Sequence, residues 1–235
     1  MEAWIPLGYL LSAALFIFGL KKLGHPRTAP RGNQYGAMGM LVAVITTVVD
    51  MQLSAGGLNW ELIVAGLVVG SVIGAIMAVK VEMTGMPELV ALFNGFGGSA
   101  SALVALSETW KYIENPALDL PSGLTLQVVM VAAGLSALVG WMTLTGSILA
   151  MFKLKGGVQI FGKWFSTPTW GPTWLNPVKI LLTVSVLALI VMSIQEPRNT
   201  DYLWAIIGIS CLLGIVLVLP IGGADMPVVV SVSYT

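Results

Sequence analysis

The sequence predicts an all-α, polytopic transmembrane helix bundle, and three observations support this fold class. Of the 235 residues, 57% are hydrophobic and only 9% are charged, whereas a soluble domain usually carries about 25% charged residues. The mean hydropathy of +0.91 agrees with this composition. Seven stretches approach the ~20 apolar residues that a helix needs to cross a bilayer. Together these features exclude a water-soluble globular fold, intrinsic disorder and a nucleic-acid-binding protein.

The seven predicted spans follow one another along the chain and are separated by polar segments. They cover residues 4–20, 35–51, 62–79, 87–106, 124–152, 178–194 and 202–219. The fifth is long enough to tilt in the membrane or to project from it. An eighth begins at Met226, and the sequence stops at Thr235. We therefore expect seven complete spans, the start of an eighth, and a chain that lacks its last helices.

Lysine and arginine residues are distributed unevenly between the two sides of the predicted bundle. Nine of the eleven fall in the loops after the first, third and fifth spans, and Lys111 and Arg198 fall on the opposite side. Because basic residues concentrate in cytoplasmic loops, this distribution predicts an amino terminus outside the cell. The nine are Lys21, Lys22, Arg27, Arg31, Lys80, Lys153, Lys155, Lys163 and Lys179.

Glycine patterns in the predicted spans indicate close helix packing, because small residues let transmembrane helices approach. Gly66, Gly70 and Gly74 form a GxxxGxxxG ridge on the third span. Gly208 and Gly214 lie six residues apart on the seventh, which places them on different sides of that helix. The segment from Asn94 to Gly98 is rich in glycine, but it lies within an apolar helix and lacks the strand and Lys-Ser/Thr of a phosphate loop.

Two polar side chains are predicted to share one depth in the membrane. Asn94 follows Pro87 by seven residues and Ser147 precedes Lys153 by six, which places both about 9–10 Å from the cytoplasmic side. A water molecule could then join them. Polar groups in a span are functional candidates because an unpaired one is costly in hydrocarbon. For Ser147 the simpler alternative is a hydrogen bond to its own helix.

Two acidic residues have both a structural and a functional interpretation. Glu88 lies in the first turn of the fourth span, where it would balance the helix dipole, with Thr84 as the helix cap. Asp225 precedes the eighth span and would be its N-cap. No Ser-His-Asp set, metal-ligand cluster or dinucleotide fingerprint is recognisable, so no catalytic, metal-binding or cofactor-binding residue is predicted. Composition and spacing fit a channel, a transporter or an ion-conducting subunit.

Four short motifs go further than composition. Residues 81–90 read VEMTGMPELV, residues 143–147 read TLTGS, residues 221–229 read IGGADMPVV, and an Arg-Gly-Asn triplet begins at residue 31. Their order and spacing closely resemble the membrane domain of the beta subunit of proton-translocating NAD(P)⁺ transhydrogenase. The resemblance covers essentially the whole chain, and the Gly-Gly-Ala-Asp-Met-Pro string is its most specific part.

The resemblance implies that proton movement and hydride transfer take place in separate domains. That family couples proton movement across a membrane to hydride transfer from NADH to NADP⁺ between two soluble domains. The NAD(H) domain belongs to the alpha side, and the NADP(H) domain follows the beta membrane domain. Residues 1–235 would then be the transmembrane proton-translocation domain without the NADP(H) domain. The implied setting is a bacterial inner membrane, an alpha subunit with its own transmembrane helices, and a dimer of alpha–beta units. This chain itself would bind no cofactor.

The resemblance also implies roles for individual residues. Asn94 stands where many members have a histidine that is thought to transfer protons, Ser147 falls on a channel serine, and Glu88 is a weaker pathway candidate. Asp225 matches an aspartate linked to the NADP(H) domain. An amide cannot change charge near neutral pH as histidine can, so we expect either a water wire past Asn94 or a titrating group from another subunit.

Two rival functions remain open from the sequence. A secondary transporter or channel with its own intramembrane substrate site would predict internal repeats and broken helices, and no clear repeat is recognisable. The other rival is a structural scaffold for further subunits.

Overall fold

The computed structural model describes residues 4–55, 59–82, 85–115, 125–156, 158–160, 163–165, 171–172 and 174–221. It contains seven helices that are long and apolar enough to cross a membrane, which confirms the predicted fold class. In chain order they are α1 Trp4–Leu23, α2 Ala29–Ala55, α3 Trp60–Lys80, α4 Met86–Glu114, α5 Leu126–Leu154, α6 Leu175–Gln195 and α7 Asp201–Val218. Asp225 and the predicted eighth span lie outside the described residues.

Two helices run well past their predicted apolar spans. Helix α2 begins six residues early, and α4 ends eight residues late. The added end of α4 is stabilised along its own surface. Lys111 and Glu108 form an ion pair of 2.6 Å, and Trp110 Nε1 donates to Glu114 Oε1 at 2.7 Å. Such i,i+3 and i,i+4 pairs support a helix outside hydrocarbon, where hydropathy gives no signal.

A short hairpin follows α5 in a loop for which the sequence predicted no regular structure. Strand β1, Val158–Ile160, pairs antiparallel with β2, Lys163–Phe165, and Val158 lies opposite Phe165. The segment is rich in the β-branched and aromatic residues that favour strands. Since the hairpin has only two strands of three residues, it leaves the all-α class unchanged.

The N-terminal unit, Met1–Ala75, contains α1, α2 and most of α3. Helices α1 and α2 lie antiparallel, and Ser12 Oγ donates to the Gly39 carbonyl at 2.8 Å. The predicted packing along the α3 glycine ridge is wrong within this unit. No described atom of the unit lies within 4 Å of a Cβ built on Gly66, Gly70 or Gly74.

The C-terminal unit, Ile76–Thr235, contains α4 to α7 and the hairpin. Helix α5 packs against α4, α6 and α7, so it occupies the centre of this unit. A cluster of four buried apolar residues joins α5, α6 and α7, and larger, partly buried side chains pack around it. These four are Ala137, Val186, Ile190 and Ile206. Residues on different faces of α5 therefore reach three different helices.

Candidate functional site: a polar pair between helices α4 and α5

Asn94 and Ser147 meet between α4 and α5. The Nδ2 of Asn94 donates a hydrogen bond to Ser147 Oγ at 3.3 Å, and Ser147 is only 8% exposed. The predicted common depth is therefore confirmed, but the two side chains touch directly and need no water to join them. The Ser147 hydroxyl thus accepts a hydrogen bond from another helix, and among the described residues it makes none to its own helix.

Glycines explain how the two helices come this close. A Cβ built on Gly95 would lie 3.0 Å from Ser147 Cβ, and one on Gly98 would lie 3.0 Å from Thr143 Cβ. Gly95 and Gly98 therefore form the surface of α4 that receives α5, while Gly97 faces open space. The glycine cluster after Asn94 is thus part of a helix interface, in agreement with the rejection of a phosphate loop.

The polar pair keeps hydrogen-bonding capacity beyond its mutual bond. A hydroxyl has one donor and an amide oxygen accepts two hydrogen bonds. Among the described residues, none accepts the Ser147 hydroxyl hydrogen and none donates to Asn94 Oδ1. One donor and one acceptor at a shared depth can therefore hold a water molecule and orient it between them.

The two threonines near Ser147 face different helices, as the helical spacing predicts. Thr143 faces Gly98 of α4, and its hydroxyl donates back to Val139 O at 2.6 Å. Thr145 points the other way, and its Oγ1 donates to the Cys211 carbonyl of α7 at 2.9 Å. The contacts of α5 with α4 and with α7 thus lie within one helical turn of Ser147.

Glu88 lies at the α4 end nearer to the predicted cytoplasmic side. Its Oε2 is 3.5 Å from Lys155 Nζ, and both line a cleft of about 190 Å³ together with Lys80. Pro87 and Glu88 are in the first turn of α4 as predicted, but Gly85 occupies the N-cap without a side-chain hydrogen bond. The predicted cap, Thr84, lies outside the described residues. Glu88 precedes Asn94 by six residues, about 9 Å along the helix.

Removing the Glu88 charge is expected to change stability little. The side chain of Glu88 is 22% exposed and that of Lys155 is 51% exposed, and such exposed pairs contribute at most about 1 kcal/mol. Thermal unfolding of Glu88→Gln, Lys155→Met and the double variant should give a coupling energy below that value. The Glu108–Lys111 pair provides a matched control cycle. A coupling energy above about 2 kcal/mol would contradict the assignment as a solvent-screened pair.

Sequence reasoning missed one residue near this site. Lys153 was counted among the basic residues of a loop, yet it is a buried residue of α5 and is 3% exposed. The sequence does contain a signal for this placement: the residues on both sides of Lys153, up to Leu154, continue the apolar pattern of the helix. Asp225 cannot be placed relative to Asn94 and Ser147, since it lies outside the described residues.

Comparison with known proteins agrees with the motifs. The family model for the NAD(P) transhydrogenase beta subunit matches residues 5–235. The chain is 34% identical to NAD(P) transhydrogenase subunit beta of Rhodospirillum rubrum over 230 residues, which is 97% of this chain and 46% of that protein. The subunit of a designated strain of the same species gives the same values. The chain spans about half the length of these relatives. By the extent of this match, the chain belongs to the NAD(P) transhydrogenase beta subunit family.

Proposed function

We propose that this chain is the proton-conducting transmembrane part of NAD(P) transhydrogenase. It couples proton translocation to hydride transfer from NADH to NADP⁺, which takes place in separate soluble domains. The chain acts with an alpha subunit and its transmembrane helices, in a dimer of alpha–beta units in the bacterial inner membrane. Its amino terminus lies outside. NAD(H) and NADP(H) bind to the partner domains, and this chain contributes no hydride-transfer site.

The observation that carries the proposal is the hydrogen bond between Asn94 and Ser147. It puts two polar side chains, each with spare hydrogen-bonding capacity, between two transmembrane helices of a family named for transhydrogenase. Polar groups at such a position are retained at a cost in hydrocarbon and are associated with ion paths. Neither group titrates near neutral pH, so they would order water and leave the change of charge to another group.

The remaining site residues take roles along this path. Glu88 is the nearest carboxylate before Asn94 on α4 and stands at the cytoplasmic entrance. Its ion pair with Lys155 keeps a charged, hydrated cleft at that end. The group that titrates beside Asn94 comes from a neighbouring subunit. Asp225 connects the membrane domain to the NADP(H) domain at the same end.

Reconstitution of the full complex tests the proposal. The beta chain and its partner subunits are placed in liposomes that contain a pH-sensitive dye, and NADH and NADP⁺ are added. Hydride transfer should change the pH of the lumen, and a protonophore should abolish this change while hydride transfer continues. Hydride transfer that never changes the lumen pH would contradict the proposal. Uptake of a solute without any nucleotide would instead favour the transporter alternative.

Asp225→Asn should uncouple the two reactions. Because the carboxylate is proposed to link the membrane path to the NADP(H) domain, we expect the protons pumped per hydride to fall about tenfold or more. Asp201→Asn is the matched control, since Asp201 is an exposed carboxylate at the opposite end of α7. The same loss in both variants, or a normal ratio in Asp225→Asn, would remove Asp225 from the coupling role.

A further inference from the structure

Lys153 is a buried cation at the end of α5 to which the proposed proton path assigns no role. Its Nζ donates to three backbone carbonyls, those of Val218 at 3.0 Å, Leu219 at 2.5 Å and Ile221 at 2.8 Å. The ammonium group has three N–H bonds, so each of them has an acceptor. Such a group has no lone pair to accept a further proton, so it is a poor proton relay. Its three hydrogen bonds instead hold α5 to the end of α7.

The three carbonyls lie at the end of α7 and just beyond it: Val218 is the last helical residue, Leu219 is the C-cap, and Ile221 follows in the turn, where its N–H also donates to Val218 O at 3.1 Å. Helix α7 ends at Val218, and the last carbonyls of a helix lack intrahelical donors. A lysine near a helix C-terminus satisfies them and interacts favourably with the negative end of the dipole. The burial cost of the charge is offset because charge-assisted hydrogen bonds are about twice as strong as neutral ones.

These hydrogen bonds lie at one end of a closely packed interface between α5 and α7. A Cβ on Gly214 would overlap Met142 O and Thr145 Oγ1, and a Cβ on Gly146 would lie 3.3 Å from Val218 Cγ2. Gly146 directly precedes Ser147 in the chain. Helix α5 therefore contacts Asn94 of α4 through one face and holds α7 through another, from Met142 to Lys153.

We propose that Lys153 is a positioning residue that transmits the position of α5 to the segment carrying Asp225. This inference rests on the proposed function, in which Asn94 and Ser147 lie on the proton path and Asp225 signals to the NADP(H) domain. Ile221 precedes Asp225 by four residues, which span at most about 14 Å. By holding the carbonyls of Val218, Leu219 and Ile221, Lys153 fixes the point from which this segment starts.

The test uses Lys153→Met and Lys153→Arg in the reconstituted complex. Methionine keeps the apolar stem and removes the donors, whereas arginine restores donors to the carbonyls. The matched control is Lys179→Met, a partly exposed lysine near the start of α6. Hydride transfer and the accompanying change in lumen pH are both measured per folded complex. In Lys153→Met we expect hydride transfer within about twofold of wild type and at least fivefold fewer protons per hydride. Lys153→Arg should recover most of this ratio.

A distance measurement supplies a readout that does not depend on activity. Spin labels are attached to Val139→Cys, which is exposed on α5, and to Ile221→Cys, whose backbone carbonyl accepts from Lys153, after Cys211→Ala removes the native thiol. Pulsed electron resonance on the full complex should give a narrow distance distribution in wild type and in Lys179→Met. The distribution should broaden in Lys153→Met.

The outcomes separate the two proposals. A normal proton-to-hydride ratio and a narrow distance distribution in Lys153→Met would overturn the positioning role while leaving the proposed function intact. Loss of both activities in step, with an unchanged distance distribution, would also overturn it and leave a merely stabilising lysine. A wild-type complex that transfers hydride without pumping would refute the proposed function, and the distance distributions would still decide whether Lys153 holds the segment.

Discussion

Replacing Gly140 by alanine is expected to destabilise the α4–α5 pair by about 3 kcal/mol, the upper end of the usual range for overpacked sites. A Cβ at this position would overlap the Gly98 carbonyl oxygen and lie 2.6 Å from Ala102 Cβ. The clash involves backbone, which cannot rotate away as a side chain can. It therefore outweighs the ~1 kcal/mol by which alanine is the better helix former. Thermal unfolding in detergent measures the loss.

Gly208→Ala is the matched control for this substitution. No described atom lies within 4 Å of a Cβ built on Gly208, which is an exposed residue of α7. We expect this variant to unfold at or slightly above the wild-type temperature because only the helix propensity changes. Equal effects at Gly140 and Gly208 would show that α4 and α5 do not pack through their glycines.

Asn94→Leu should abolish most proton pumping while the bundle stays folded. Leucine suits a partly buried position in an apolar helix but leaves the buried Ser147 hydroxyl without its partner on α4. An unmade hydrogen bond at a buried group costs about 1–3 kcal/mol, and the ordered water would lose one side of its site. The number of protons moved per hydride transferred should fall about tenfold or more, which corresponds to a loss of about 1.4 kcal/mol or more of coupling free energy.

Two further variants sharpen this experiment. Asn176→Leu makes the same change at an exposed asparagine at the start of α6 and should pump normally. Asn94→His introduces a group that titrates near pH 6.5. Pumping by this variant should persist and should acquire an additional pH dependence centred near that value. Normal pumping by Asn94→Leu would show that the Asn94–Ser147 pair is not part of the proton path.

Helix geometry made part of this site predictable from sequence. The common depth of Asn94 and Ser147 follows from counting residues at 1.5 Å each from the helix ends, and the direct hydrogen bond confirms it. The direct contact was not predictable, because it depends on how closely Gly95 lets α5 approach. The helical repeat likewise places Thr143 and Thr145 on different faces of α5, in agreement with their contacts with α4 and α7.

Other features depend on tertiary packing and were therefore missed or misassigned. The α3 glycine ridge has the strongest packing pattern in the sequence, yet no described atom of its own unit lies within 4 Å of a Cβ built on Gly66, Gly70 or Gly74. Lys153 shows the reverse error. Its place near the end of a span predicts a cytoplasmic loop residue, whereas the structure buries it in α5. Its burial depends on where the last carbonyls of α7 lie, and no local pattern encodes that position.

The interface between α4 and α5 affects how the protein folds in the membrane during its synthesis. These helices are neighbours in the chain, and each supplies glycines to the other, with Gly98 on one side and Gly140 on the other. Transmembrane helices insert first and associate afterwards, so this hairpin can close before α6 and α7 leave the ribosome. The Asn94–Ser147 bond would then set the register of the nascent pair, since a one-residue slip rotates Ser147 by about 100°. Alanine substitutions of Gly98 and Gly140 in this interface should therefore lower the yield of inserted protein.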